Sequence, residues 1–216
     1  MRPNIGGDVL TRRFWLRLGL LLAVVSCRDA AEPSAVADVV ASDPFAGVHI
    51  LQQAPTAPPL ETYTTAFWVT KGKAATLVVN YQSPDGQSVP DPFLVFSVPK
   101  DGLIAGADDP HMAKGDSILL TLSIDPNGFL AHFGPSGVKF SAKAPAVLTM
   151  CYEYMDPDLN GDGIVDDTDK ALQQQLSFWT QSMKAGDWFK LPTKYDPANP
   201  CVSAQIFHFS EYAVSW

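Results

Sequence analysis

The sequence predicts a mainly β chain: an antiparallel β-sandwich interrupted by one insertion that carries a turn-rich loop and a helix. Three observations support this. Short runs of β-branched and aromatic residues recur from Tyr63 to Trp216, at roughly 8–12-residue spacing. Clusters of Pro, Asn, Asp and Gly separate them, as in Pro84-Asp85-Gly86, Pro126-Asn127-Gly128 and Pro135-Ser136-Gly137. Only one stretch shows a helical period.

The chain opens with a segment that reads as an export signal. Thr11-Arg12-Arg13-Phe14-Trp15-Leu16-Arg17 is basic, an apolar run from Leu18 to Val25 follows, and Ser26 precedes Cys27. That run is too short to cross a bilayer as a permanent helix. Val24-Val25-Ser26-Cys27 resembles the bacterial lipobox, which implies lipid attachment at Cys27 and cleavage before it. The Arg pair also resembles a twin-arginine signal, and general secretion remains an alternative. The expected organisation is a signal peptide over residues 1–26 and a lipid-anchored flexible tether over 27–60, rich in Ala, Pro, Val and Ser. A single domain is expected over 61–216.

Cleavage after Ser26 removes four Arg and one Asp, taking the formal charge from −8 to about −11. Such a chain, with no basic cluster, does not suit nucleic acid, whose phosphates call for Lys and Arg. It suits a cation site in an exported domain. Two cysteines remain, Cys151 and Cys201. In an oxidising compartment the simplest expectation is a disulfide; the alternatives are two buried thiols or a soft-metal site, which the absence of a His or third Cys at ligand spacing argues against.

Predicted strands cover residues 63–70, 75–81, 93–98 and 118–124, then 129–133, 138–141, 146–154, 188–191, 203–209 and 212–216. In the fourth, Leu120, Leu122 and Ile124 point to one face while Thr121 and Ser123 point to the other. Between 146–154 and 188–191 lies the predicted insertion, at about 155–186.

Its loop is the most specific motif in the chain: Asp158-Leu159-Asn160-Gly161-Asp162-Gly163-Ile164-Val165-Asp166-Asp167-Thr168-Asp169. Oxygen-bearing side chains fall at positions 1, 3, 5, 9 and 12, a Gly stands at position 6 and an apolar residue at position 8. This is the spacing of an EF-hand calcium loop, because calcium takes six to eight oxygens and the chain must turn sharply at the Gly. The expected ligands are Asp158, Asn160, Asp162, the Ile164 carbonyl, Asp166 and Asp169, with calcium as the cofactor. An acidic surface turn is the plainer alternative. Position 12 is Asp rather than Glu, Lys170 replaces an apolar residue, and the segment before the loop reads as a strand rather than a helix. A helix is predicted over 169–183, with Leu172, Leu176, Trp179 and Met183 on one face. A loop with only its exiting helix resembles one calcium repeat of the dockerin modules. Those modules bind cohesins with two repeats, and one is found here.

Three phrases resemble the zonula-occludens/netrin-receptor type of β-sandwich domain. They are Phe96-Ser97-Val98-Pro99-Lys100-Asp101-Gly102-Leu103, Phe133-Gly134-Pro135-Ser136-Gly137-Val138-Lys139-Phe140 with Pro145-Ala146-Val147-Leu148-Thr149-Met150, and Phe207-His208-Phe209-Ser210-Glu211-Tyr212-Ala213-Val214-Ser215-Trp216. The resemblance implies a sandwich serving as an interaction or structural module. Some proteins with such domains cut themselves at His-Phe-Ser. Carried over, Ser210 would be the nucleophile, His208 the base and Phe209–Ser210 the scissile bond. The alternative is that these residues simply close a strand.

None of the four histidines belongs to a His-Glu-x-x-His pair or other tight metal-ligand spacing. His49 and His111 are expected to face solvent, and His132 to be half-buried. Asp108-Asp109 reads as a turn. The expectation is therefore a non-enzymatic calcium-binding lipoprotein of the bacterial cell envelope, with no catalytic residues. Its partners would be the membrane, through the lipid, and a protein or envelope surface, and not nucleic acid. A self-cleaving domain and a single-repeat dockerin-like partner of a cohesin-type receptor are the alternatives.

Overall fold

The computed structural model describes residues 47–83, 91–181, 187–196 and 199–216. The signal segment, Cys27, most of the expected tether, Pro84-Asp85-Gly86 and Met183 lie outside the described residues. Two antiparallel sheets pack face to face as a β-sandwich. The first has the order β1 (Thr64–Thr70), β5 (Ser117–Ile124), β6 (Leu130–Gly134), β13 (Glu211–Ser215), β9 (Ser177–Gln181) and β10 (Trp188–Lys190). The second runs β11 (Thr193–Asp196), β12 (Cys201–Ile206), β8 (Ala146–Cys151), β3 (Pro92–Val98) and β2 (Ala75–Asn80). A small pair, β4 (Leu103–Ala105) and β7 (Lys139–Phe140), stands apart.

Alternation in the sequence decides which side chains meet between the sheets. Leu120, Leu122 and Ile124 of β5 are buried, as are Leu94, Phe96 and Val98 of β3 and Leu148 and Met150 of β8. Phe96 lies at the aromatic centre, its ring 4.8 Å from that of Phe133 and 5.8 Å from that of Phe209. Phe133 and Phe209 stack at 5.2 Å. Each fully buried Phe or Leu contributes roughly 1.5–3 kcal/mol through removal from water.

Cys151 and Cys201 are bonded and stand directly opposite each other in the β8–β12 ladder, with Cα atoms 3.9 Å apart. The bond closes the segment that contains the insertion.

The expected helix over 169–183 is corrected. Helix α1 spans only Asp167–Gln173, and Leu176 drops into the core. Trp179 belongs to β9, which pairs with β13 on one side and β10 on the other. In Ser177-Phe178-Trp179-Thr180-Gln181, Phe178 and Thr180 are buried while Trp179 and Gln181 are partly exposed, a period of two. The rich β-branched and aromatic content and the pairing on both sides outweigh the accidental helical spacing.

The domain also starts before residue 61. From Gly47 onward the chain forms a strap along the sandwich. Leu51 and Leu60 are buried, the Leu51 N–H donates to the Val214 carbonyl at 2.8 Å, and Gln53 bridges to Met155. His49 is exposed as expected, yet its ring stacks on Trp216 at 5.7 Å. Leu51 ends a short apolar run with Val48 and Ile50, and Leu60 stands alone in a Pro-rich stretch, so no sustained periodicity announces them.

Candidate metal centre

Strand β8 ends at Cys151, and the chain is held again where the strap crosses it. The Ala54 N–H donates to the Tyr154 carbonyl at 2.9 Å and the Asp156 N–H to the Gln52 carbonyl at 2.9 Å. The loop starts two residues later. Asp156 Oδ1 accepts the Asp158 N–H at 3.1 Å and so fixes the entry, a role not foreseen from the sequence.

Asp158 organises the first half. Its Oδ1 accepts the N–H groups of Gly161 at 2.9 Å and Asp162 at 3.2 Å, and its Oδ2 accepts that of Gly163 at 2.8 Å. Asn160 Oδ1 accepts the Asp162 N–H at 2.9 Å, and Asp162 Oδ1 that of Ile164 at 2.8 Å. These bonds wind the chain into successive Asx turns. The winding requires positive φ at Gly161 (73°) and Gly163 (84°), which only Gly adopts without strain.

Asp169 closes the loop from the helix. It is 3% exposed, and its Oδ1 accepts the Leu159 and Asn160 N–H groups at 2.8 and 3.2 Å. Its Oδ2 accepts the Asp166 N–H at 2.9 Å. The Asp166 N–H foremost, opposed by burial and aided by the other two amides, holds the Asp169 carboxyl below the usual carboxylate range. Asp166 returns the contact as helix cap, accepting the Thr168 N–H at 2.7 Å, so the two Asp residues form a capping box. Leu159 is buried and roots the loop in the core. Val165, at the position usually apolar and packed, is exposed.

The expected ligand residues thus share one compact loop, but their oxygens are directed at backbone amides. Among the described residues no three Asp, Glu, His or Cys side chains converge closely enough to hold a metal ion as placed. The donor set is all oxygen, which suits a hard cation such as calcium and not metals that take Cys or His. An ionised carboxylate offers about four lone-pair sites, so accepting amides leaves capacity for a cation on the same oxygens.

The remaining candidates are placed as follows. Ser210 is buried and donates to the Gln181 carbonyl at 2.6 Å. The His208 ring contacts the Phe209 carbonyl oxygen at 3.4 Å, and the Tyr212 hydroxyl donates to the His208 carbonyl. The Ser210 hydroxyl therefore points to β9 and not to the His208 ring. Asp109 Oδ1 accepts the His111 N–H at 2.9 Å in a turn. His132 is exposed rather than half-buried, with Nδ1 3.5 Å from Glu211 Oε1; it faces outward from β6. No known family, curated protein or solved structure matches the chain.

Proposed function

We propose that this protein is a non-enzymatic, calcium-binding lipoprotein of the bacterial cell envelope, a β-sandwich binding or structural module whose insertion is held by the ion. One observation carries the reading: the 158–169 loop combines calcium-loop spacing with a backbone already wound around its own carboxylates. Asp158, Asn160, Asp162, the Ile164 carbonyl, Asp166 and Asp169 would hold the ion, and the ion would neutralise a strongly acidic turn. The resemblances to dockerin repeats and to zonula-occludens/netrin-receptor domains support the same reading, as does the lipobox at Cys27, which would anchor the module to a membrane. A partner at the protein or envelope surface completes it.

Calorimetric titration with calcium, joined to thermal melts in calcium and in chelator, tests this. Binding is expected in the micromolar to millimolar range of sensor and extracellular loops. At a hundredfold excess over Kd, calcium should stabilise the fold by about 2.7 kcal/mol. Asp162→Ala should remove that gain, so that its melts in calcium and in chelator coincide, with the chelator melt lowered only by the lost Ile164 and Asn160 contacts. Identical wild-type melts in both conditions would overturn the reading.

A further inference from the structure

Strand β1 is the outer strand of its sheet, and among the described residues no segment pairs with its free edge. It pairs with β5 through seven consecutive residues without a bulge, from Thr64 opposite Ser123 to Thr70 opposite Ser117. Ile124 donates to the Tyr63 carbonyl and Lys71 donates to the Asp116 carbonyl, so the odd-numbered residues of this run turn their backbone groups toward β5. The even-numbered residues turn theirs to the open edge. Thr64 is satisfied locally by the Thr62 hydroxyl, and the Thr70 carbonyl accepts from Lys73. The N–H and C=O groups of Ala66 and Trp68 have no partner among the described residues.

The other sheet edges carry the features that discourage pairing. Strand β10 has three residues and includes Lys190, and β11 has four and includes Lys194 and Asp196. Strand β2 shifts register between Val79 and Asn80, and its end is covered by Leu60 and Glu61. Strand β1 has no charge, no Pro and no bulge, and Trp68 is 65% exposed on its outer face.

We propose that β1 is a docking edge for a second copy of this chain, in an antiparallel, two-fold β1–β1 pairing centred on Phe67. That register places Ala66 of each copy opposite Trp68 of the other as a hydrogen-bonded pair. All four unpartnered backbone groups in each copy are thereby satisfied. The outer face then sets each large indole against a methyl group, and the two Trp68 rings become diagonal neighbours roughly 7–8 Å apart, within reach of aromatic contact. Thr64 meets Thr70. The pairing is self-complementary, as a two-fold interface must be. The edge adds no charge penalty of its own. Two copies of an acidic chain repel, and the Thr64–Thr70 edge brings no like charges together. A seven-residue edge buries less than the roughly 1,200 Å² of a stable interface, so the dimer is concentration-dependent.

The test uses the full chain carrying Cys27→Ser, so that no lipid drives association. Sedimentation from about 10 μM to about 1 mM should show a mass rising from monomer toward dimer and no further. At the high concentration the Ala66 and Trp68 amides should exchange at least about tenfold more slowly than at the low one. Trp68→Lys should remain monomeric; Ala66→Lys gives the same reading if that variant fails to fold. A wild-type chain that stays monomeric overturns the proposal. So do growth beyond a dimer, a dimer unaffected by either variant, or slowed exchange elsewhere with none at Ala66 and Trp68, which would assign the contact to another surface.

Discussion

Asp169 joins, at the residue scale, the first turn of the acidic loop to the helix that leaves it. Because its pKa is depressed in the fold, its contribution is present above the ordinary carboxylate pKa of about 3.9 and is lost as the pH falls through its lower folded value. Asp169→Asn should therefore reduce stability at neutral pH, even in chelator, and flatten the part of the acid unfolding curve below about pH 4. Melts of both proteins between pH 2 and pH 7 measure this; parallel curves would count against it. Ser210 makes the opposite case. Its hydroxyl is committed to the Gln181 carbonyl, away from His208. The denatured full-length chain is expected to show one uncut mass through Trp216. A fragment ending at Phe209 that disappears in Ser210→Ala would make Ser210 a nucleophile.

At the scale of elements, the cross-strand disulfide and the insertion it encloses belong together. Cys151 and Cys201 are separated by 50 residues, and closing such a loop contributes roughly 4 kcal/mol in the chain-entropy account. The double change Cys151→Ala/Cys201→Ala should lower stability by about that amount in urea unfolding. It should leave the β8–β12 ladder folded, because five further residue pairs hold it. The long strands were legible in the sequence because alternation and turn chemistry agree over β1, β3, β5 and β8. The turn-rich loop before α1 was legible because Asp, Asn and Gly alternate through it, the residues that make successive Asx turns and accept positive φ. Strand β9 was not: Leu172, Leu176 and Trp179 imitate a helical stripe, and only pairing with β13 shows which period applies. The three- and four-residue strands β4 and β11 were missed because runs so short carry little periodicity, whereas β7 and β10 fall inside the expected 138–141 and 188–191.

Across the whole molecule the sandwich buries three phenols: Tyr81, Tyr152 and Tyr212. Burial is the largest cause that pushes each of them up, with Asp91 adding to the effect at Tyr81 and Tyr195 at Tyr152. A phenol whose pKa is raised in the fold gives stability that is intact below the unfolded value of about 10 and is lost as the pH rises beyond it. Stability should therefore hold to about pH 10 and then fall steeply, and Tyr81→Phe should soften the fall. Urea titrations at pH 8, 10 and 11.5 measure the slope; a flat profile would contradict it.

The strap gives the molecule a mechanical entry point. Tension applied through the chain before Gly47 meets the sandwich first at His49 and Ile50, against Trp216 and Ser215, and then along Leu51, Gln52, Gln53 and Ala54, ahead of any sheet strand. There it divides among three unrelated stretches. Leu51 is hydrogen-bonded to Val214 and Phe129, Gln53 to Asn127, and residues 52 and 54 to the approach to the acidic loop at Asp156 and Tyr154. These bonds, with those that tie Pro59, Leu60 and Glu61 to Gln82, Tyr81 and Asn80, lie between the pull and β1, so the strap is expected to peel before the two sheets open. The strap would then serve the domain as a shock absorber, and one of its fastenings is the stem of the acidic loop at Tyr154 and Asp156.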